Sequence, residues 1–110
     1  MNNREVALKF IRRFCAGDVD GLALLLAEDL RFKGPLPQFG SRDAYLDCLK
    51  NDPPRSCAYQ VLSVTESGDS VSVFYEYEKG DGGVTIAQLF KFKDRGIAEI
   101  LLVFDGRGLG

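Results

Sequence analysis

The sequence predicts an α+β domain: three N-terminal helices packed on one face of a strongly bent, mainly antiparallel sheet. Three observations carry this. Apolar residues recur at helical spacing through the first half of the chain. The second half divides into segments of about ten residues with period-two alternation, joined by short glycine-bearing turns. Helices followed by a run of strands, with no alternation between the two, form the α+β pattern.

The first helix is expected from Arg4 to Ala16. Val6, Phe10 and Phe14 fall at four-residue intervals, as do Ala7, Ile11 and Cys15, giving one broad apolar stripe. Asn3 is the expected cap, and Gly17 suits the left-handed residue that closes the end. Asp18 caps a second helix, where its charge is favourable. That helix is expected to reach Ala27, with Val19, Leu22, Leu25 and Leu26 facing inward and Glu28 and Asp29 in solvent at its end. "LRF" then enters a short strand, and Gly34, Pro35 and Pro37 end regular structure. Ser41 opens a third helix, with Ala44, Cys48, Tyr45 and Leu49 on its apolar side, and Pro53-Pro54 stops it.

Four long strands are expected over Ser56–Glu66, Ser70–Lys79, Val84–Lys93 and Ile97–Asp105, turning at "SGD", "GDGG" and "DRG". The whole chain reads as a single domain, 1–110, ordered over about 3–105 with a loose "GRGLG" tail.

Composition narrows the function classes. The chain has 110 residues, 45% apolar and 27% charged, with a formal charge of −2. A domain this size buries about 65% of its unfolded surface, enough for one core without staples. No basic block interleaves with aromatics, which argues against a nucleic-acid surface. There is no His, so Ser-His-Asp and Cys-His nucleophiles and His-ligated metals are excluded. The three cysteines, Cys15, Cys48 and Cys57, lack zinc spacing and read as buried reduced thiols. No motif calls for a cofactor or a metal. "GDGG" joins two strands and lacks the Lys-Ser/Thr of a phosphate loop. Charges interrupt the N-terminus too early for a signal peptide, and no apolar run approaches the ~20 residues that span a bilayer. The expected setting is cytoplasmic, away from membranes.

Alternation divides each strand into two faces. Val71, Val73, Tyr75 and Tyr77 share the inner side of one strand, opposite Ser72, Phe74, Glu76 and Glu78. Val84, Ile86, Gln88, Phe90 and Phe92 share the inner side of the next. In the last strand Ala98, Ile100, Leu102 and Phe104 oppose Ile97, Glu99, Leu101 and Val103, and both sides are apolar apart from Glu99. A two-layer domain buries only one sheet face. Phe74, Ala87, Leu89, Leu101 and Val103 therefore form a candidate apolar patch, and a homodimer packed through it is expected.

The stretch "FIRRFCAGDVDGLALLLAEDLRFKGP" resembles the start of the nuclear-transport-factor-two-like superfamily, closest in style to SnoaL-like polyketide cyclases and ketosteroid-isomerase-like proteins. There a first helix ends in a "GD.D" turn, and a second ends in an acidic pair before a strand and a Gly or Pro. The resemblance runs from Arg4 to about Asp105. It implies a cone-shaped, cystatin-like barrel with a deep pocket between sheet and helices, commonly dimeric. It does not imply one activity, because the superfamily hosts isomerases, cyclases, dehydratases, hydrolases and binding modules. Ketosteroid isomerase chemistry would need a Tyr donor where Phe10 stands, an Asp base where Gly34 stands and a protonated Asp where Gln88 stands. Phe and Gly supply neither donor nor base, so that mechanism is rejected, while Gln88 keeps one amide donor. The cyclases usually carry Asp or His acid–base groups, and no carboxylate falls on the expected inner faces.

The candidate pocket comprises Phe10, Phe14, Phe32, Gly34, Tyr45, Tyr75, Tyr77, Gln88, Phe90, Leu102 and Phe104, with Phe39 as a further wall residue. Gln88 either holds a ligand carbonyl or hydroxyl, or bonds Tyr75, Tyr77 or a buried water. Tyr75 and Tyr77 either point hydroxyls into the pocket or form an aromatic wall with wet tips. Tyr45 either closes the mouth or packs in the core. Asp105, at the rim, is the one carboxylate near enough to consider for catalysis, against a plain solvated turn residue. Catalytic residues stay unassigned. Three functions follow: binding of a small apolar or aromatic molecule, an isomerase- or cyclase-type enzyme on a polyketide- or steroid-like substrate, or a dimerisation module without a ligand.

Overall fold

A computed structural model describes residues 2–34, 38–51, 58–79, 82–94 and 96–104. The elements run α1 (Asn3–Cys15), α2 (Val19–Ala23), β1 (Leu26–Lys33), β2 (Gln38–Phe39), α3 (Arg42–Asn51), β3 (Tyr59–Ser67), β4 (Ser70–Lys79), β5 (Gly82–Lys93) and β6 (Gly96–Phe104). One sheet in the order β2-β1-β6-β5-β4-β3 holds the strands. β3 to β6 form the expected antiparallel meander, whereas β1 joins β6 in parallel.

The caps lie close to where the sequence puts them. Asn2, one residue before Asn3, caps α1 by accepting from the Glu5 amide at 2.8 Å. Gly17 closes the helix with a φ of 74°. Asp18 caps α2 by accepting from the Gly21 amide at 2.9 Å. Arg13 reaches across from α1 and donates to the Gly21 carbonyl at 2.6 Å. Ser41 caps α3 by accepting from the Ala44 amide at 3.1 Å.

The second helix is shorter than expected. It ends at Ala23, and Leu26 is already in β1. The cause is the parallel pairing: the Ile97 amide donates to the Leu25 carbonyl at 2.9 Å, and Leu26 pairs with Ile97. Leu25 and Leu26 face the core as expected, but as the start of a strand. Glu28 and Asp29 are exposed in β1, where its register with β6 shifts, and do not end a helix. β2, which periodicity does not reveal, places Phe39 opposite Phe32.

In α3 the buried positions are Tyr45 and Leu46, with Leu49 half-buried. Ala44 and Cys48, read as apolar-side residues, are exposed. Cys15 is buried as expected, and Cys57 lies outside the described residues, as do Pro53, Pro54 and Asp105.

β4 and β5 keep the expected phase: Val71, Val73, Tyr75, Ile86, Gln88, Phe90 and Phe92 are all buried. β6 departs from it at one end. Ile97 was expected outward and is fully buried. Lys91 pairs with Glu99 but Phe92 pairs with Ile97, so Ala98 is an extra residue in β6. Such a bulge resets alternation and bends the strand. A second extra residue, Leu62, sits between Val61 and Ser63 in β3. These irregularities help the sheet wrap around α1, whose Phe10 and Ile11 are each 1% exposed.

Candidate functional site

A cavity of about 220 Å³ lies between the inner sheet face and helices α1 and α3. α1 supplies Phe10 and Phe14, one helical turn apart. β1 supplies Phe32, β2 Phe39, and α3 Tyr45 and Leu49. The sheet supplies Tyr75, Ile86, Gln88, Leu102 and Phe104. Register explains why the sheet residues meet: Gln88 pairs with Val73 and Leu102, and Ile86 pairs with Tyr75 and Phe104. All therefore share the inner face at two adjacent levels.

Aromatic rings set the walls. Tyr45 stacks on Phe32 at 4.9 Å between centroids, and Phe39 meets Tyr45 edge-on at 5.6 Å. Phe10 meets Phe90 edge-on at 5.3 Å. Offset and edge-on contacts of this kind add to the gain from area burial.

Among the described residues, polar chemistry in the wall comes from Gln88, Tyr75 and Tyr45. Gln88 is 4% exposed and accepts a hydrogen bond from the Tyr75 hydroxyl at 2.8 Å. With its carbonyl engaged, the Gln88 amide nitrogen has no acceptor among the described residues. The buried Tyr45 phenol is pushed well above its ordinary pKa, first by desolvation and then by Cys48. At neutral pH it is a donor and not a base. No described Asp, Glu, Lys or Arg lines this cavity. Among the described residues no cluster of three or more acidic or thiol side chains could hold a metal, and no described helix is long and apolar enough to cross a membrane.

Eight of the candidate pocket residues thus come together: Phe10, Phe14, Phe32, Tyr45, Tyr75, Gln88, Leu102 and Phe104. Phe90 does not line the space, because it is fully buried beneath Phe10. Tyr77 sits further along β4, opposite Val84 and Tyr59, and Gly34 sits just past the end of β1. Ile86 and Leu49 belong to the wall without having been singled out. Both lay on faces already read as apolar, and that was their only signal.

The patch residues occupy the helix-free face. Phe74, Leu101 and Val103 are 48%, 42% and 54% exposed, with Ala87 and Leu89 half-buried between them. Phe74 pairs with Ala87, Ala87 with Val103, and Leu89 with Leu101, so the five are contiguous.

Comparisons with known proteins agree with this architecture. Similar folds include an NTF2-like protein of unknown function from Cytophaga hutchinsonii (TM-score 0.84, 20% identity, 99% of this chain and 95% of that one). A putative ketosteroid isomerase from Kribbella flavida matches with TM-score 0.81 at 21% identity, over 94% of this chain and 77% of that one. An LEH-like epoxide hydrolase of M. tuberculosis matches with TM-score 0.76 at 16% identity, over 94% and 82%. At these identities the likeness shows the fold alone. No curated protein matches the sequence. The family model described as the SnoaL-like domain matches residues 7–100, and the chain belongs to that family.

Proposed function

We propose that the protein binds a small, uncharged, mainly apolar or aromatic molecule in the cavity and orients it with one hydrogen bond from the Gln88 amide. The observation that carries this is the makeup of the wall: aromatic and aliphatic side chains surround one buried amide whose carbonyl is already bonded. Apolar cavities of this order stay dry and take up apolar guests. At about 220 Å³ the space is below the ~300 Å³ at which drug-sized pockets begin, so the guest is smaller than a typical drug. A carboxylate ligand would have to shed its hydration with no cation among the described wall residues to meet it.

The neighbours named as an isomerase and a hydrolase raise an enzymatic reading, but the described wall does not favour it. General acid–base work needs a group that titrates near the operating pH. Phe10 and Gly34 stand where the isomerase resemblance asks for a donor and a base, and Tyr45 stays protonated. We also take the chain to act as a homodimer joined through the helix-free face, in the cytoplasm, where a buried thiol such as Cys15 is at home.

Native mass spectrometry of protein taken directly from cells looks for a retained guest. Calorimetric titration with acetophenone and with benzoate, near-isosteres that differ in charge, tests the cavity. Acetophenone should bind and benzoate should not, and a cavity-filling Leu102→Trp variant that melts normally should lose acetophenone. Equal binding of both probes, or unchanged binding by Leu102→Trp, would sink the proposal.

A further inference from the structure

On the helix-free face, the cross-strand register arranges the outward side chains in rows. Arg31, Glu99 and Lys91 make one row across β1, β6 and β5, and Lys33, Leu101 and Leu89 make the next. Val103, Ala87 and Phe74 follow across β6, β5 and β4. Beyond them Glu76 lies opposite Thr85, and Glu78 opposite Gly83. The six charged residues of these rows, Arg31, Lys33, Lys91 and Glu99 at one end and Glu76 and Glu78 at the other, are exposed.

One end of the face is therefore basic, the other acidic, and the apolar band lies between them. Six residues of β5 separate the Lys91 row from the Glu76 row, about 20 Å at ~3.3 Å per residue. Three strand spacings separate β1 from β4, about 14 Å. The midpoint of this diagonal falls near Ala87, in the centre of the apolar band. Lys91 is partly neutralised by Glu99 at 3.7 Å. Arg31, Lys33, Glu76 and Glu78 stand in no ion pair with another described residue. At this end a recess of about 210 Å³ is lined by Arg31, Lys33, Lys91, Glu99, Leu89, Ile100 and Leu101, three cations against one carboxylate.

We propose that a second copy of this chain docks on the face in one orientation: a two-fold axis lies in the interface plane, passes near Ala87 and runs across the basic-to-acidic diagonal. The inference rests on the reading that this face pairs two copies. Rotation about that axis lays the apolar band on itself. It also brings Glu76 and Glu78 of each copy to the basic recess of the other, twice per dimer, because a two-fold interface is isologous. An axis turned through a right angle, along the diagonal, would set basic end on basic end and acidic on acidic. Like charges in contact are strongly disfavoured at an interface, so charge selects the orientation that hydrophobic area alone leaves undetermined.

The test is a charge swap read by sedimentation equilibrium. One variant carries Arg31→Glu and Lys33→Glu, and the other carries Glu76→Lys and Glu78→Lys. Each alone should dissociate at least about tenfold more readily than the unaltered protein, and an equimolar mixture should recover heterodimer. Thermal melts confirm that both variants fold. Leu101→Asp, which breaks the apolar band, should weaken pairing in any orientation. A dimer indifferent to the swaps, or a mixture no tighter than its components, overturns the orientation alone. An unaltered protein that stays monomeric overturns the pairing reading together with it.

Discussion

Tyr75 donates its hydroxyl to Gln88 Oε1 at 2.8 Å, joining β4 to β5 on the inner face of the sheet. The two are diagonal neighbours, since Gln88 lies opposite Val73 and Tyr75 opposite Ile86. The bond gives a buried carbonyl its partner and fixes the plane of the amide. Gln88 lines the cavity, and its amide nitrogen has no acceptor among the described residues.

Breaking that bond from one side should cost more than removing both partners. Tyr75→Phe leaves Oε1 buried without its donor, at about 1–3 kcal/mol, and Gln88→Met removes the acceptor of that bond. The double variant should cost less than the sum, and urea denaturation of all four proteins measures the coupling. Strict additivity would show that the contact does not hold the amide.

Tyr45 should govern part of the alkaline limb of stability. Its phenol has a folded-state pKa raised above the ordinary value near 10, chiefly by burial. The native state therefore keeps a proton that the unfolded chain gives up. The contribution is full below pH ~10 and is lost as pH rises from there through the folded value. Tyr45→Phe should flatten the fall in melting temperature above pH 10 relative to the unaltered protein. An unchanged slope would mean that the phenol is not buried in solution.

The α1–α2 junction should be intolerant at two positions. Asp18→Ala removes the α2 cap and should cost about 0.5–2 kcal/mol. Gly21→Ala should destabilise although alanine favours helices by about 1 kcal/mol over glycine. A Cβ there would run into the Asp18 carboxylate and come within 2.9 Å of the Arg13 side chain. Chemical denaturation that finds Gly21→Ala stabilising would show that this corner relaxes freely.

Much of the architecture was legible in the residues. The α1 stripe, the caps Asp18 and Ser41, Gly17 with positive φ and the inward phase of β4 and β5 are local properties. Each is written within one turn or one strand. Gln88 could be placed inside because Ile86 and Phe90 flank it at period two, and its 4% exposure agrees. The helix-free face was legible for a different reason: β6 is apolar on both sides, and helices cover only one.

What stayed hidden depends on partners distant in the chain. α2 gives way at Ala23 because β1 pairs with β6, roughly seventy residues later. Ile97 turns inward because of an extra residue at Ala98, which only the register with β5 reveals. The cavity is the space left when α1, α3 and the sheet have packed, and a void has no residue of its own to announce it. By itself the sequence determined which side chains of α1, β4 and β5 face the core, for periodicity is local. Only the tertiary structure decided that Tyr75 bonds Gln88 and that Phe90 fills where Leu102 lines, because those outcomes depend on cross-strand register and on the shape of facing surfaces.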